Sequence, residues 1–274
     1  MNSSNNTSAT ASGDAELLTL VVKAVQSAGK AIEARFNPGA RPEHRGDIGE
    51  MIAANDAVAL AILRPALAKA HPMARWAEDE GGSGLLPDGE WWVSDPVEGA
   101  INHVHGVPDW GVTATLVRDN TPVLTAVHLP MGADTYTALR GGGAWLNGKR
   151  LHISLKTELN AAMVGTGQAV PDEGRSIYQR IGKSVSAMLE AALVVRVSVP
   201  STLQLVQVAA GRQDLFWQYS QVRSGLLAGA LLVAEANGSV SDLDGNPWHL
   251  GSSALLAGAP ALVAAAVAVM SSIA

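Results

Sequence analysis

The sequence predicts an α/β protein whose N-terminal half is α+β and whose C-terminal half is α/β. Three observations predict it. Apolar residues recur at helical spacing in the N-terminal region. A run of strand-like segments fills the middle of the chain. After Ser154, helical stretches alternate with short strands.

The elements follow in order. Leu17, Leu18, Val21, Val22, Val25, Ala28 and Ile32 form a helical stripe, so a helix is expected from Asp14, as its N-cap, to Phe36, where Asn37-Pro38-Gly39 stops it. Residues 1–13 are rich in Ser, Thr and Asn, with neither a basic nor an apolar targeting segment, and are expected to be a disordered leader. Residues 38–47 are polar, with prolines early in the run, and predict a loop. A second helix is expected from about Ala53 to Ala70. The acidic turn Glu78-Asp79-Glu80-Gly81-Gly82 comes next, and Trp91-Trp92-Val93 is a short strand. Val112 to Leu116, Val123 to Leu129 and Thr135 to Leu139 predict an antiparallel meander, with Gly141-Gly142-Gly143 and Asn147-Gly148 as turns. Beyond Ser154, helices at Arg175 to Ala192, Ser201 to Ala210 and Leu226 to Ala236 alternate with strands near Val194, Leu215 and Val240. The apolar run from Ala259 to Ala274 falls short of the ~20 residues of a membrane span and predicts a packed terminal helix. The expected halves, 14–154 and 155–274, share one compact body.

Composition bounds the function. Apolar residues make up 47% of the 274, enough for a large core, and the formal net charge of −6 argues against a general nucleic-acid or anionic-membrane binder. With no cysteine, disulfides, thiolate ligands and cysteine nucleophiles are excluded.

One stretch carries chemistry: Trp91-Trp92-Val93-Ser94-Asp95-Pro96-Val97-Glu98-Gly99-Ala100-Ile101-Asn102. A strand delivers two carboxylates three residues apart, and a glycine then turns the chain into a helix. Asp95 and Glu98, with the carbonyl of Val97 between them, present the oxygen ligands that a hard cation such as Mg2+ takes. The N–H groups of Gly99, Ala100 and Ile101 would open the helix and offer an anion site. On spacing alone, two acids that simply cap a helix N-terminus are the plainer explanation of the pattern.

Together with His103-Val104-His105-Gly106-Val107-Pro108, this stretch resembles the inositol monophosphatase signature, Asp-Pro-x-Asp-Gly-Thr-x-Asn-Phe followed by His-Gly-x-Pro. Other landmarks fall in the same order. Glu78-Asp79 resembles the family's Gly-Glu-Glu turn. Gly141 to Gly148 resembles its Gly-x-Gly-Ala-Phe-x-Asn-Gly turn, and Ala209 to Asp214 its Ala-Ala-Gly-x-x-Asp turn. Gly229 to Gly238 resembles its second signature, and Asp56 sits where the family's first metal-site Asp would fall. The resemblance runs from about residue 14 to 270. It implies a layered αβαβα sugar-phosphatase fold, a homodimer, and metal-assisted hydrolysis in which Mg2+ binds phosphate and activates water; a cytoplasmic location is expected separately.

Three departures fall on that chemistry. Glu98 stands where the family has Asp, which moves the carboxylate by ~1.5 Å, and Mg2+ tolerates such misplacement badly. Ala100 stands where the family has the Thr whose hydroxyl, with the Glu of the acidic turn (here Glu78), orients the attacking water. Gly225 stands where the family has a metal-binding Asp. Gln218 stands where a substrate-contacting Glu is common. There are also gains: His103 replaces a family Phe, and Asp109 replaces an aromatic or apolar residue. His105 is ordinary for the family, and Trp110, Trp217 and Trp248 are expected to pack.

The sequence therefore predicts a repurposed small-molecule enzyme with weak or no phosphomonoesterase activity. It would act by acid–base chemistry on a small polar or phosphorylated metabolite in the family cavity. The catalytic candidates are Glu78, His103 and Asp109. Glu78, Asp95, Val97 and Glu98 are the metal candidates, for one Mg2+ with the second site weakened or lost. Gly99, Ala100 and Ile101 are the anion-binding candidates, and Gln218 and Gly225 the substrate positions. Two alternatives stand beside this reading: a Mg2+-dependent phosphomonoesterase acting on a sugar or cyclitol phosphate, and a non-catalytic small-molecule-binding protein. Neither a nucleic acid nor a membrane is expected as a partner.

Overall fold

The computed structural model describes residues 3–78, 82–169, 173–219 and 222–273. The chain divides into two compact units. Of the described residues, those up to 78 and from 86 to 148 form the first, and residues 82–85 with those from 149 onward form the second. The division falls a few residues before the expected one at Ser154.

In the first unit, α1 (Ser3–Glu33) and α2 (Arg45–Ala70) lie against a sheet that is antiparallel except for its first pair of strands, which run parallel. The strands β1 (Arg75–Trp76), β2 (Glu90–Glu98), β3 (Gly111–Arg118), β4 (Thr121–Leu129), β5 (Asp134–Leu139) and β6 (Gly143–Leu146) follow one another in chain order. The predicted meander is β3–β4–β5. The α1 stripe of Leu17, Val21, Val25, Ala28 and Ile32 is buried, as are Ala59, Leu63 and Leu67 of α2, and they meet Trp92, Val112, Ala114, Leu116, Leu124 and Ala126 of the sheet. The close approach of α1 to β4 requires Gly29, because a Cβ there would come within 2.6 Å of His128.

Two helix starts differ from expectation. α1 begins at Ser3, so helix replaces the expected disordered leader over residues 3–13. Extending a nucleated helix costs far less than starting one. Asp14 is therefore no cap, and its carboxylate instead takes Arg118 at 3.2 Å. α2 begins at Arg45, inside the expected loop. No proline follows Pro42 until Pro65, and Asp47 in the first turn complements the helix dipole. Among the described residues, α2 is the one helix long and apolar enough, by length and composition, to cross a membrane, and its Asn55, Ala59, Leu63 and Leu67 face is buried in this unit.

In the second unit, a five-stranded sheet has the order β11-β12-β10-β8-β9. Its strands are β8 (Met163–Thr166), β9 (Val194–Val197), β10 (Leu215–Gln218), β11 (Ser239–Ser241) and β12 (Leu255–Gly258), and β7 (Lys149–Arg150) precedes them. β8 runs parallel to β9 and β10, while β12 is antiparallel to β10 and β11. The helices α4 (Arg175–Ala191), α5 (Ser201–Ala209), α6 (Ser224–Glu235) and α7 (Pro260–Ser271) alternate with the strands, as the sequence predicts. α6 is buried from Leu226 to Val233. Gly229 permits its packing on α5, since a Cβ there would collide with Leu205.

Candidate active site

The site begins with the end of β2. The strand runs past Trp91-Trp92-Val93 to Glu98, and its pairing with β3 slips between Asp95 and Glu98. Pro96 is the cause: with no N–H it cannot donate to the ladder, so the strand bulges there. Ser94 Oγ donates to the Thr113 carbonyl at 2.5 Å, and the Asp95 amide donates to Thr113 Oγ1 at 3.0 Å, which fixes the strand at the first carboxylate. The Val97 amide donates to Asp95 Oδ1 at 3.1 Å. Gly99 then takes the left-handed conformation, φ 83°, that a residue with a side chain rarely adopts. The five-residue α3 (Ala100–Val104) follows, and its first internal donors are the amides of Asn102 and His103, both to the Gly99 carbonyl. The amides of Gly99, Ala100 and Ile101 precede those donors.

The electrostatics are those of crowded carboxylates. Asp95 is pushed well above the usual carboxylate range, first by burial, then by the charge of Glu98 and a hydrogen bond with it, and then by the charge of Asp56; the Val97 N–H offsets part of this. Glu98 is 3% exposed. Asp56, half-buried on α2, is raised to about 6 by burial. Asp95 and Glu98 thus crowd one another across a hydrogen bond, with a third carboxylate close enough to be felt.

The other predicted residues have separate environments. Glu78 is exposed and held by both terminal nitrogens of Arg64, at 3.0 and 2.6 Å. That hydrogen-bonded guanidinium lowers its pKa. Asp79 and the rest of the acidic turn to Gly81 lie outside the described residues. His103 is buried. Its ring packs edge-on against Phe36 and Trp110, with centroids 5.5 and 4.8 Å away. Asn55 Nδ2 donates to its Nδ1 at 3.1 Å, and its Nε2–H donates to the Ile32 carbonyl at 3.2 Å. Burial lowers its pKa, so the ring is neutral at pH 7. Asp109 is exposed, and its carbonyl accepts from Asn102 Nδ2 at 2.8 Å. His105 Nδ1–H donates to the Ile101 carbonyl at 2.7 Å.

These placements correct the expected acid–base set. Both ring nitrogens of His103 are engaged, and Glu78 is clamped to Arg64. Among the described residues, no three His, Asp or Glu side chains are arranged to chelate a metal. In the second unit, Gln218 is buried at the end of β10, where Nε2 donates to the Gln168 carbonyl at 3.1 Å. The Gly225 carbonyl, near the start of α6, accepts from Thr202 Oγ1 at 3.0 Å. Neither supplies a charge. The sequence reading missed Asn55, although a signal was present: it is the polar member of the buried i, i+4 stripe Asn55, Ala59, Leu63, Leu67.

Of these donors, Asp95, Glu98 and the Val97 carbonyl are the ones that would hold one hard cation. They occupy one turn, and the mutual repulsion of the carboxylates is what a divalent cation would relieve. A second cation is less well served there, because Ala100 brings no side-chain oxygen and Glu78 is taken by Arg64.

Comparison with known proteins gives consistent results. Residues 14–273 match the model of the inositol monophosphatase family. An inositol-1-monophosphatase of Rhizobium meliloti (strain 1021) is 31% identical over 245 residues, covering 88% of this chain and 91% of that protein. The Nus factor SuhB of Pseudomonas aeruginosa is 32% identical over 250 residues, with the same coverage of 88% and 91%. The solved structure of Mycobacterium tuberculosis SuhB has a TM-score of 0.78 at 24% identity, covering 94% of this chain and 97% of that one.

Proposed function

The chain belongs to the inositol monophosphatase family, and from that premise we propose that it binds a small polar, phosphorylated metabolite at the Asp95–Glu98 turn and hydrolyses phosphomonoesters weakly or not at all. The observation that carries this reading is the composition of that turn. The carboxylates of Asp95 and Glu98 are brought together there, while the position of the water-orienting hydroxyl is Ala100. Asp95, Glu98 and the Val97 carbonyl would hold one Mg2+, which supplies charge to polarise a phosphoryl group when bound. The amides of Gly99, Ala100 and Ile101 orient the anionic end of the ligand. Any proton transfer falls to Asp95 and Glu98 rather than to Glu78, His103 or Asp109. A homodimer, by family resemblance, and a cytoplasmic location belong to the same proposal.

Phosphate release from inositol-1-phosphate, with and without Mg2+, tests the reading. The wild-type protein is expected to turn over far below the ~1–10³ s⁻¹ of ordinary enzymes, and a rate in that range overturns it. Glu98→Asp, Ala100→Thr and Gly225→Asp together, which restore the family's residues, are expected to raise Mg2+ affinity and turnover jointly. The gains should be non-additive, since the three act on one function. A second reading, a binding protein without turnover, has one point in its favour: relatives at 32% and 31% identity carry the names Nus factor and inositol-1-monophosphatase respectively. Saturable ligand binding without phosphate release selects it.

A further inference from the structure

The first unit contains a cavity of about 670 Å³ whose lining includes neither Asp95 nor Glu98. It lies within the roughly 300–1,000 Å³ typical of small-molecule sites. Arg35 comes from just after α1, Asp47, Glu50, Met51, Ala54 and Asn55 from α2, and His103 and Val104 from α3.

Its floor is a chain of directed hydrogen bonds. The Ile32 carbonyl holds His103 Nε2–H, His103 Nδ1 accepts from Asn55 Nδ2, and Asn55 Oδ1 accepts from Arg35 Nε at 2.6 Å. His103 and Asn55 are both at least 95% buried, so an exposed arginine is steered by a buried polar relay. A surface arginine needs no such support to stay solvated, and burying polar groups costs stability unless every bond is made. The relay grips Arg35 through Nε and leaves the terminal nitrogens as a fork suited to a carboxylate. Asp47 and Glu50, three residues apart, stand on one face of α2 in the same lining. Among the described residues, neither forms an ion pair with Arg35. One cavity thus holds both signs of charge apart, with Met51, Ala54 and Val104 as apolar wall.

We propose that this cavity is a second ligand site, for a zwitterionic α-amino acid with an apolar side chain. Its carboxylate would meet the Arg35 fork, its ammonium Asp47 and Glu50, and its side chain the Met51–Ala54–Val104 wall. His103 and Asn55 are positioning residues: they aim Arg35 and do not touch the ligand's charges. The inference does not rest on the phosphatase reading, because its residues and its test are separate from the Asp95–Glu98 turn.

The probes are L-leucine and L-methionine, titrated into the full-length protein by calorimetry and thermal melting, with N-acetyl-leucine and leucine methyl ester as controls that each remove one charge. Either free amino acid at ~10 mM is expected to raise the melting temperature by ~2 °C in a saturable manner. The two controls should bind at least about tenfold more weakly, as should Arg35→Ala and the double variant Asp47→Asn, Glu50→Gln. Both variants change exposed side chains, so they should fold. His103→Phe keeps the ring and removes the relay; it should weaken leucine by a few-fold, and the methyl ester, which has no carboxylate for Arg35, by less. Absence of a saturable response to both amino acids overturns the proposal, as does equal binding of the blocked controls or full binding by Arg35→Ala.

Discussion

At Asp56, burial works against the carboxylate: its pKa rises to about 6, against 3.8 for a free side chain. The consequence for stability has a definite sign. Below pH ~4 the residue is protonated in both the folded and unfolded chains and contributes nothing. As pH rises through the window from about 4 to 6, the unfolded chain ionises first, so the folded state loses stability, and the loss is complete above that window. Asp56→Asn removes it. Allowing for solvent screening of a half-buried group, the gain at pH 7 is about 1 kcal/mol, or ~3 °C in melting temperature for a chain of this size. Melts at pH 4 and pH 7 check this: the variant should outlast the wild type only at the higher pH. A gain of equal size at both pH values would trace the effect to packing. Asp95 experiences the same opposition more strongly, through Glu98 as well as burial. A site that costs stability is what a binding function leaves behind.

Between elements, the first unit is tied by a polar clasp away from these carboxylates. Glu90 of β2 takes His71, just past α2, at 2.5 Å and Arg118 of β3, and Arg118 also reaches Asp14 of α1 at 3.2 Å. Burial raises the Glu90 carboxyl, and the bonds from His71 and Arg118 outweigh this and lower it. Its contribution is therefore present above the ordinary Glu pKa and is lost as pH falls through the depressed folded value. Arg118→Met strands two part-buried carboxylates and should cost about 2 kcal/mol at pH 7, with the deficit shrinking below pH ~4. Urea unfolding at the two pH values measures it. In the second unit the sensitive contact is apolar: Gly229→Ala forces α6 away from Leu205 and should cost about 3 kcal/mol. Much at this scale was legible in the sequence. Apolar spacing gave the α1 stripe, and the strand-like runs gave the β3–β5 meander, because those signals are local. The early start of α2 was not, since Asp47 and the lack of proline after Pro42 permit a helix there, but the polar run with Gly46 has no apolar stripe to announce one. Nor was the engagement of Glu78, whose partner Arg64 sits fourteen residues earlier on another element, or the inward face of His103, which depends on where Phe36 and Trp110 pack.

For the whole molecule, the question is whether the crowded carboxylates still gather a cation. The net charge of −6 favours divalent cations only diffusely, so a specific site must show itself by saturation and by pH. Mg2+ should raise the melting temperature at pH 7.5 along a binding curve. At tenfold over its dissociation constant the gain is about 1.4 kcal/mol, or ~3 °C. Protons compete for the same oxygens, because a ligating carboxylate must be ionised. With Asp56 raised to about 6 and Asp95 raised in the same direction, the response should fade as pH falls from 7.5 to 5. Asp95→Asn should abolish it, since that variant removes a ligand, while Arg35→Ala should leave it intact, since Arg35 lines a different cavity. A response that is linear in Mg2+, flat with pH and unchanged in Asp95→Asn would be general ionic screening. The turn would then be a helix start that has kept the family's shape without its metal.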